Sequence, residues 1–143
     1  MTNLSSTAND LFSQGFNCSQ AVFASFASEF SLSSEVALKL AAPFGAGMGR
    51  MCEVCGAVSG ALMVIGMRSG FSLPRDEEAK RTTYSLVQNF AERFKERNGS
   101  IVCHELLGLR IDTPEGLDEM RKLGLSQTKC ANFVRDAIEL LHF

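Results

Sequence analysis

Five cysteines are the residues of this sequence best suited to chemistry, and two of them form a Cys-x-x-Cys pair, Cys52 and Cys55. The other three are single residues, at Cys18, Cys103 and Cys130. Thiolates bind zinc and iron–sulfur clusters, and they also attack disulfides. Because the sequence holds no second Cys-x-x-Cys pair, the spacing alone does not decide between metal binding and thiol–disulfide exchange.

Four of these cysteines fall at the predicted beginnings of helices. Asn17 is a good N-cap for a helix that starts at Cys18, while Cys55, Cys103 and Cys130 each lie in the first turn of a predicted helix. The free N–H groups and the dipole at a helix N-terminus stabilise negative charge and lower a thiol pKa. We therefore expect these four thiols to converge on one site. Inert burial as small hydrophobic residues is the alternative.

The elements that must position the thiols are arranged around residues 43–70. The loop GAGMG comes first, and it is not a dinucleotide-binding fingerprint because its spacing is wrong and no strand precedes it. An uncharged run follows over residues 54–67, shorter than the about 20 apolar residues that span a bilayer. Gly56 and Gly60 leave one face of this run almost bare, so a neighbouring helix can approach closely. We predict a buried central helix over residues 55–67.

The rest of the chain shows helical periods and no strand-like alternation, so we predict an all-α fold. Its 143 residues are expected to form a single domain, residues 1–143, as a bundle of about six to eight helices around the Gly/Ala-rich central helix. The other predicted helices run from Ser5 or Ser6 to Gly15, over 18–30, from Ser33 or Ser34 to before Pro43, and over 76–97, 103–107, 115–122 and 130–141.

Composition narrows the class of protein. The formal net charge is −2, from 14 basic and 16 acidic residues, and no basic run occurs, so we expect neither a nucleic-acid nor a membrane partner. The N-terminus lacks the pattern of a signal peptide, which predicts a cytoplasmic protein. Five cysteines in such a protein favour metal or redox use over a disulfide framework. The composition does not decide whether the chain forms a homodimer.

Two further residues lie beside the cysteines. Arg50 could offset negative charge on a thiolate cluster, but a solvated surface arginine is the favoured interpretation. His104 adjoins Cys103, and adjacent helical side chains point about 100° apart, which makes joint ligation of one ion awkward. We therefore predict that His104 is not a ligand.

The stretch Cys55–Gly60 has the form C-G-A-x-x-G; N-C-S-Q-A-V precedes it at residues 17–22, and single cysteines follow at Cys103 and Cys130. This pattern resembles the redox-active protein family named for its C…GCAxxG…C…C cysteines, over about residues 15–140. The resemblance implies a small, mostly helical, cysteine-dependent redox or metal protein, with Cys18, Cys55, Cys103 and Cys130 as the matching thiols and Cys52 as an extra. It is also similar to the cysteine-bearing portion of split-Soret cytochromes, where such thiols are associated with an iron–sulfur centre.

We therefore predict a redox or electron-transfer protein whose four matching thiols hold an iron–sulfur cluster or another thiophilic metal such as zinc. Their sulfurs should then lie within one sphere of metal-site size, while Cys52 either points elsewhere or stands by as a thiol behind the ligands. The alternative is metal-free thiol–disulfide exchange between Cys52 and Cys55. A structural or interaction module with buried thiols is a third hypothesis. The first two imply a redox partner protein that the sequence does not identify, and enzymatic activity stays undecided.

Overall fold

The computed structural model describes residues 3–142, which form eight right-handed α-helices and no β-strand. The helices are α1 (Asn3–Ser13), α2 (Cys18–Ser25), α3 (Ser34–Ala41), α4 (Gly56–Ser69), α5 (Glu77–Asn98), α6 (Cys103–Leu107), α7 (Pro114–Leu123) and α8 (Ala131–Leu140). Two 3₁₀ segments, Ala27–Phe30 and Ala42–Phe44, and a π-helical turn, Ser126–Cys130, complete them. The all-α prediction is confirmed. Within residues 3–142, none of the helices combines the length and apolarity needed to cross a membrane.

Helix α4 is buried over much of its length, as the sequence predicted, and its most extensive contact is with α2. Ala57, Val58 and Ile65 on this helix are at most 1% exposed. A Cβ atom added to Gly60 would lie only 2.8 Å from the carbonyl oxygen of Ser19, so α2 packs directly against the glycine backbone. The predicted bare face of α4 is therefore a helix–helix contact.

The segment Gly45–Gly49 is an ordered, left-handed turn. Ala46, Gly47 and Met48 have φ values of 56°, 67° and 66°, and Arg50 continues the conformation with φ 68°. A left-handed helical conformation costs a residue with a Cβ atom about 1–2 kcal/mol, so surrounding contacts must hold this turn in place. The glycine-rich loop thus leads the chain along a fixed path towards the Cys-x-x-Cys pair.

Two predicted helix boundaries were wrong. The predicted helix over residues 18–30 breaks at Phe26, where φ is −98° and ψ is 1°, and a 3₁₀ segment follows it. Apolar spacing did not reveal the break, because a 3₁₀ turn keeps residues three apart on one face. The predicted first turn at Cys130 is the end of the π-helical turn that continues into α8, with the Ala131 N–H donating to the Ser126 carbonyl. The Thr128 hydroxyl donates to the Gly124 carbonyl at 3.0 Å and does not cap a helix.

Candidate functional site

Four cysteines line one cavity of about 950 Å³. Cys18 is the first residue of α2, Cys55 is the N-cap of α4, Cys103 is the first residue of α6, and Cys130 ends the π-helical turn. Each of the four is at most 9% exposed. The structure therefore brings together, from four separate elements, the four thiols that the sequence grouped.

Local structure fixes Cys18 at the start of α2. The Asn17 side chain accepts a hydrogen bond from the Gln20 N–H at 3.0 Å, and the Gln20 side chain accepts one from the Asn17 N–H at 3.0 Å. This reciprocal pair is a capping box, and it confirms the predicted N-cap. Cys18 is thereby held in the first turn of the helix.

Cys55 and Cys103 are held side by side by a short antiparallel pairing. The Cys55 N–H donates to the Ile101 carbonyl at 2.8 Å, and the Cys103 N–H donates to the Glu53 carbonyl at 2.6 Å, on either side of the bridge between residues 54 and 102. Sequence reasoning missed this pairing. The sequence feature that could have indicated the pairing is the β-branched residue before each of the two cysteines, because such residues favour extended backbone.

Two glycines let backbone approach the thiols. A Cβ atom on Gly47 would lie 2.7 Å from the Cβ of Cys103, and a Cβ atom on Gly56 would lie 3.2 Å from the Cβ of Cys18. The first distance is too short for a real contact, so only glycine fits at Gly47 without movement of Cys103. The glycine-rich loop thus approaches the cysteines closely.

The thiols of Cys18 and Cys130 are hydrogen-bonded to each other. This bond, with burial and the negative charges of the other cysteines, raises the pKa of Cys18 well above its usual value. The same bond lowers the pKa of Cys130, against the effect of burial and with help from the positive charge of Lys129. Cys130 is therefore the more acidic thiol of the pair.

Burial dominates the other two thiols of the cavity. It raises the pKa of Cys55 to about 11, although the backbone N–H groups of Ala57 and Val58 oppose it by hydrogen bonding to the sulfur. The pKa of Cys103 rises to about 12 through burial and the charges of neighbouring cysteines. The prediction that helix N-termini lower these pKa values was therefore wrong in its net sign, because desolvation outweighs the N–H donors.

The four cavity thiols are suitable ligands for a thiophilic cation, but they are not arranged to bind a single ion. Thiols whose ionised forms repel each other gain most from a cation that replaces their protons. Across residues 3–142, however, no three His, Cys, Asp or Glu side chains are placed to hold one metal ion. The four sulfurs thus share one cavity but do not form a single-ion site, and their role as metal ligands stays a prediction.

Cys52 does not line this cavity. Its side chain is fully buried, and its sulfur accepts a hydrogen bond from the Ile111 N–H at 3.2 Å. The Cys52 thiol also contacts the Arg50 carbonyl, at 3.8 Å. Cys52 thus lies outside the cavity, with its sulfur bonded to Ile111 of the cavity wall, and its exchange with Cys55 stays a hypothesis.

Residues 16–142 match a family model with the description "Putative redox-active protein (C_GCAxxG_C_C)". The chain belongs to this family. No curated protein and no solved structure shows significant similarity to it. Its family is thus described by redox activity and by a pattern of cysteines, four of which line the cavity in this member.

The family motif has a structural meaning in this protein. The family name places glycine before cysteine, whereas Cys55 precedes Gly56 in this chain. Cys55 is the N-cap of α4, the N–H groups of Ala57 and Val58 donate to its sulfur, and Gly60 lies against the backbone of Ser19. The motif therefore places a thiol at the cavity and packs α4 onto α2.

Arg50 and His104, the two further residues beside the cysteines in the sequence, differ in whether they line the cavity. Arg50 is exposed and lines the same cavity as the thiols. His104 does not line the cavity. Of the two, Arg50 is the residue placed to act on the site.

Proposed function

We propose that this protein is an electron-transfer protein whose four cavity thiols, Cys18, Cys55, Cys103 and Cys130, hold an iron–sulfur cluster. The observation that supports the proposal is the convergence of these four buried cysteines from four elements on one cavity. Four thiolates are the usual ligand complement of such a cluster. When bound, the cluster would supply one-electron chemistry for a redox partner protein.

Several residues of the chain would affect the reduction potential of the cluster. The Ala57 and Val58 N–H groups that donate to the Cys55 sulfur would stabilise its charge and tune the reduction potential. The low solvent exposure of the four cysteines also shifts the potential. Arg50 contributes positive charge on the same cavity wall.

A single zinc ion fits this geometry less well. A tetrahedral zinc site needs four ligands at about 2.0–2.3 Å from one point. No three metal-ligating side chains among the described residues are so placed. A cluster distributes its ligands around a larger body than one ion, so it does not require the four sulfurs to meet at a single point.

A second candidate function is metal-free thiol–disulfide exchange, and the Cys18–Cys130 hydrogen bond favours it. The Cys130 thiolate would attack a partner's disulfide, forming a mixed disulfide and releasing one partner thiolate. Cys18, after losing its proton, would then attack the Cys130 sulfur and release the second partner thiolate. Two electrons pass to the partner, and a Cys18–Cys130 disulfide remains. This pair takes the place of Cys52 and Cys55 in the exchange hypothesis.

Anaerobic purification with iron and acid-labile sulfide analysis tests the proposal. We expect a brown protein with visible absorption, loss of iron in Cys55→Ser, and near-parental iron in Cys52→Ser, the matched control three residues away. A colourless parent without iron would refute the cluster. Reversible oxidation lost in Cys18→Ser and Cys130→Ser but kept in Cys52→Ser would then establish the exchange function.

A further inference from the structure

The cavity is larger than four thiols require. Its volume of about 950 Å³ lies at the upper end of the range of about 300–1,000 Å³ that is typical of pockets for small organic ligands. Beyond the thiols, its wall is mainly apolar and partly aromatic. The main contributors are Phe12, Phe16, Leu106, Leu107, Leu117 and Met120. Such a wall is suited to the apolar body of an organic molecule.

Apart from the thiols, the charged side chains on the cavity wall are of one sign. Arg50 and Arg121 are its charged lining residues, and none of the lining residues that the structure describes is acidic. Arg121 lies 4.0 Å from Asp118, an exposed pair one helical turn apart. Arg50 forms no ion pair within residues 3–142, so its guanidinium is the better placed to meet an anion.

The backbone of Arg50 is held in an unusual conformation. Its φ of 68° is left-handed, and the buried Cys52 thiol lies against its carbonyl oxygen. The same Cys52 sulfur accepts the N–H of Ile111, a second residue of the cavity wall. Residues with Cβ atoms hold this conformation only where their surroundings enforce it, and such residues cluster at ligand sites.

We infer that the cavity binds an amphipathic organic anion beside the thiols, with its anionic group at Arg50 and its apolar body on the aromatic and aliphatic wall. The inference deepens the proposed function, and it rests on it only in taking the neighbouring thiols as the redox centre. It assigns to that centre a small-molecule ligand in addition to a partner protein. A cluster alone would leave the apolar part of the cavity without an occupant.

Dye binding tests the inference without any redox readout. The probes are anilinonaphthalene sulfonate, which is an aromatic anion, and phenylnaphthylamine, its neutral counterpart. We expect the sulfonate to bind the folded protein and its dissociation constant to rise about five- to tenfold in Arg50→Gln, the loss expected for an exposed charge-assisted contact. The neutral dye should bind this variant as it binds the parent.

Two further variants make the test specific. Met120→Glu adds an acidic group to the half-buried wall and should weaken the sulfonate more than the neutral dye. Arg93→Gln removes an exposed arginine that does not line this cavity, and it should change neither affinity. Equal sulfonate affinity in Arg50→Gln and the parent, or no binding to the parent, would overturn the inference. Iron content, measured on the same samples, decides the proposed function separately.

Discussion

Gly60 is the position where a single added methyl group should report how closely α2 and α4 pack. In Gly60→Ala the new Cβ would lie 2.8 Å from the Ser19 carbonyl oxygen and 3.1 Å from the Val22 Cβ. Ser19 cannot easily retreat, because its hydroxyl donates to the Ala41 carbonyl at 2.6 Å and is fully buried. One of the two helices must therefore move.

The expected change in unfolding free energy is the difference between two opposing contributions. Overpacking a core by a methyl group costs about 1–3 kcal/mol, and alanine is preferred over glycine within a helix by about 0.5–1 kcal/mol. Gly60→Ala should therefore lose about 0.5–2 kcal/mol of unfolding free energy. Gly66, six residues later on α4, is exposed and has nothing within 4 Å of an added Cβ. Gly66→Ala should instead gain about 0.5–1 kcal/mol.

Urea unfolding followed by circular dichroism measures both variants against the parent. We expect the midpoints of the two variants to move in opposite directions, with the denaturant slope unchanged. The matched pair removes helix propensity as an explanation, since both changes are glycine to alanine in one helix. A Gly60→Ala variant at least as stable as the parent would show that α2 does not pack against this face.

Two further predictions concern the pKa values in the metal-free, reduced protein. Burial raises the pKa of Cys55 to about 11 in the folded state, so between about pH 9 and pH 11 the folded state holds a proton that the unfolded state has lost. The unfolding free energy should therefore fall as the pH rises across that window, and Cys55 should account for up to about 2–3 kcal/mol of the loss. Urea titrations at several pH values measure this, and an unfolding free energy that does not change with pH would contradict it. The lowered pKa of Cys130 predicts that iodoacetamide modifies it before Cys55 and Cys103 at neutral pH. Mass spectrometry after brief labelling gives the order, and faster labelling of Cys55 would refute the assignment.

Much of the fold could be predicted because its signals are local. Asn17 caps α2, Thr113 and Pro114 begin α7, and Gly99 follows the end of α5, all as their residue types indicate. The central helix was found from the absence of charge over residues 54–67. These features depend on residues within one or two turns of each other.

The parts that could not be predicted depend on distant contacts. The left-handed turn at Gly45–Gly49 includes Ala46 and Met48, residues with no local preference for that conformation. The pairing that aligns Cys55 with Cys103 joins segments almost fifty residues apart, and its two extended stretches are too short for an alternating pattern. Tertiary contacts decide both, so their sequences carry little sign of them.

The pKa values at the site show why the position of the thiols was easier to predict from the sequence than their protonation. Helix N-termini do supply N–H donors, as Cys55 shows with those of Ala57 and Val58. Convergence on one cavity, however, also buries the thiols and sets their negative charges against each other, and these effects raise the pKa of three of the four, Cys18, Cys55 and Cys103. The arrangement that makes the site a set of ligands is thus the one that keeps most of its members protonated. A cation that binds there must displace those protons, so cofactor loading and pH are coupled.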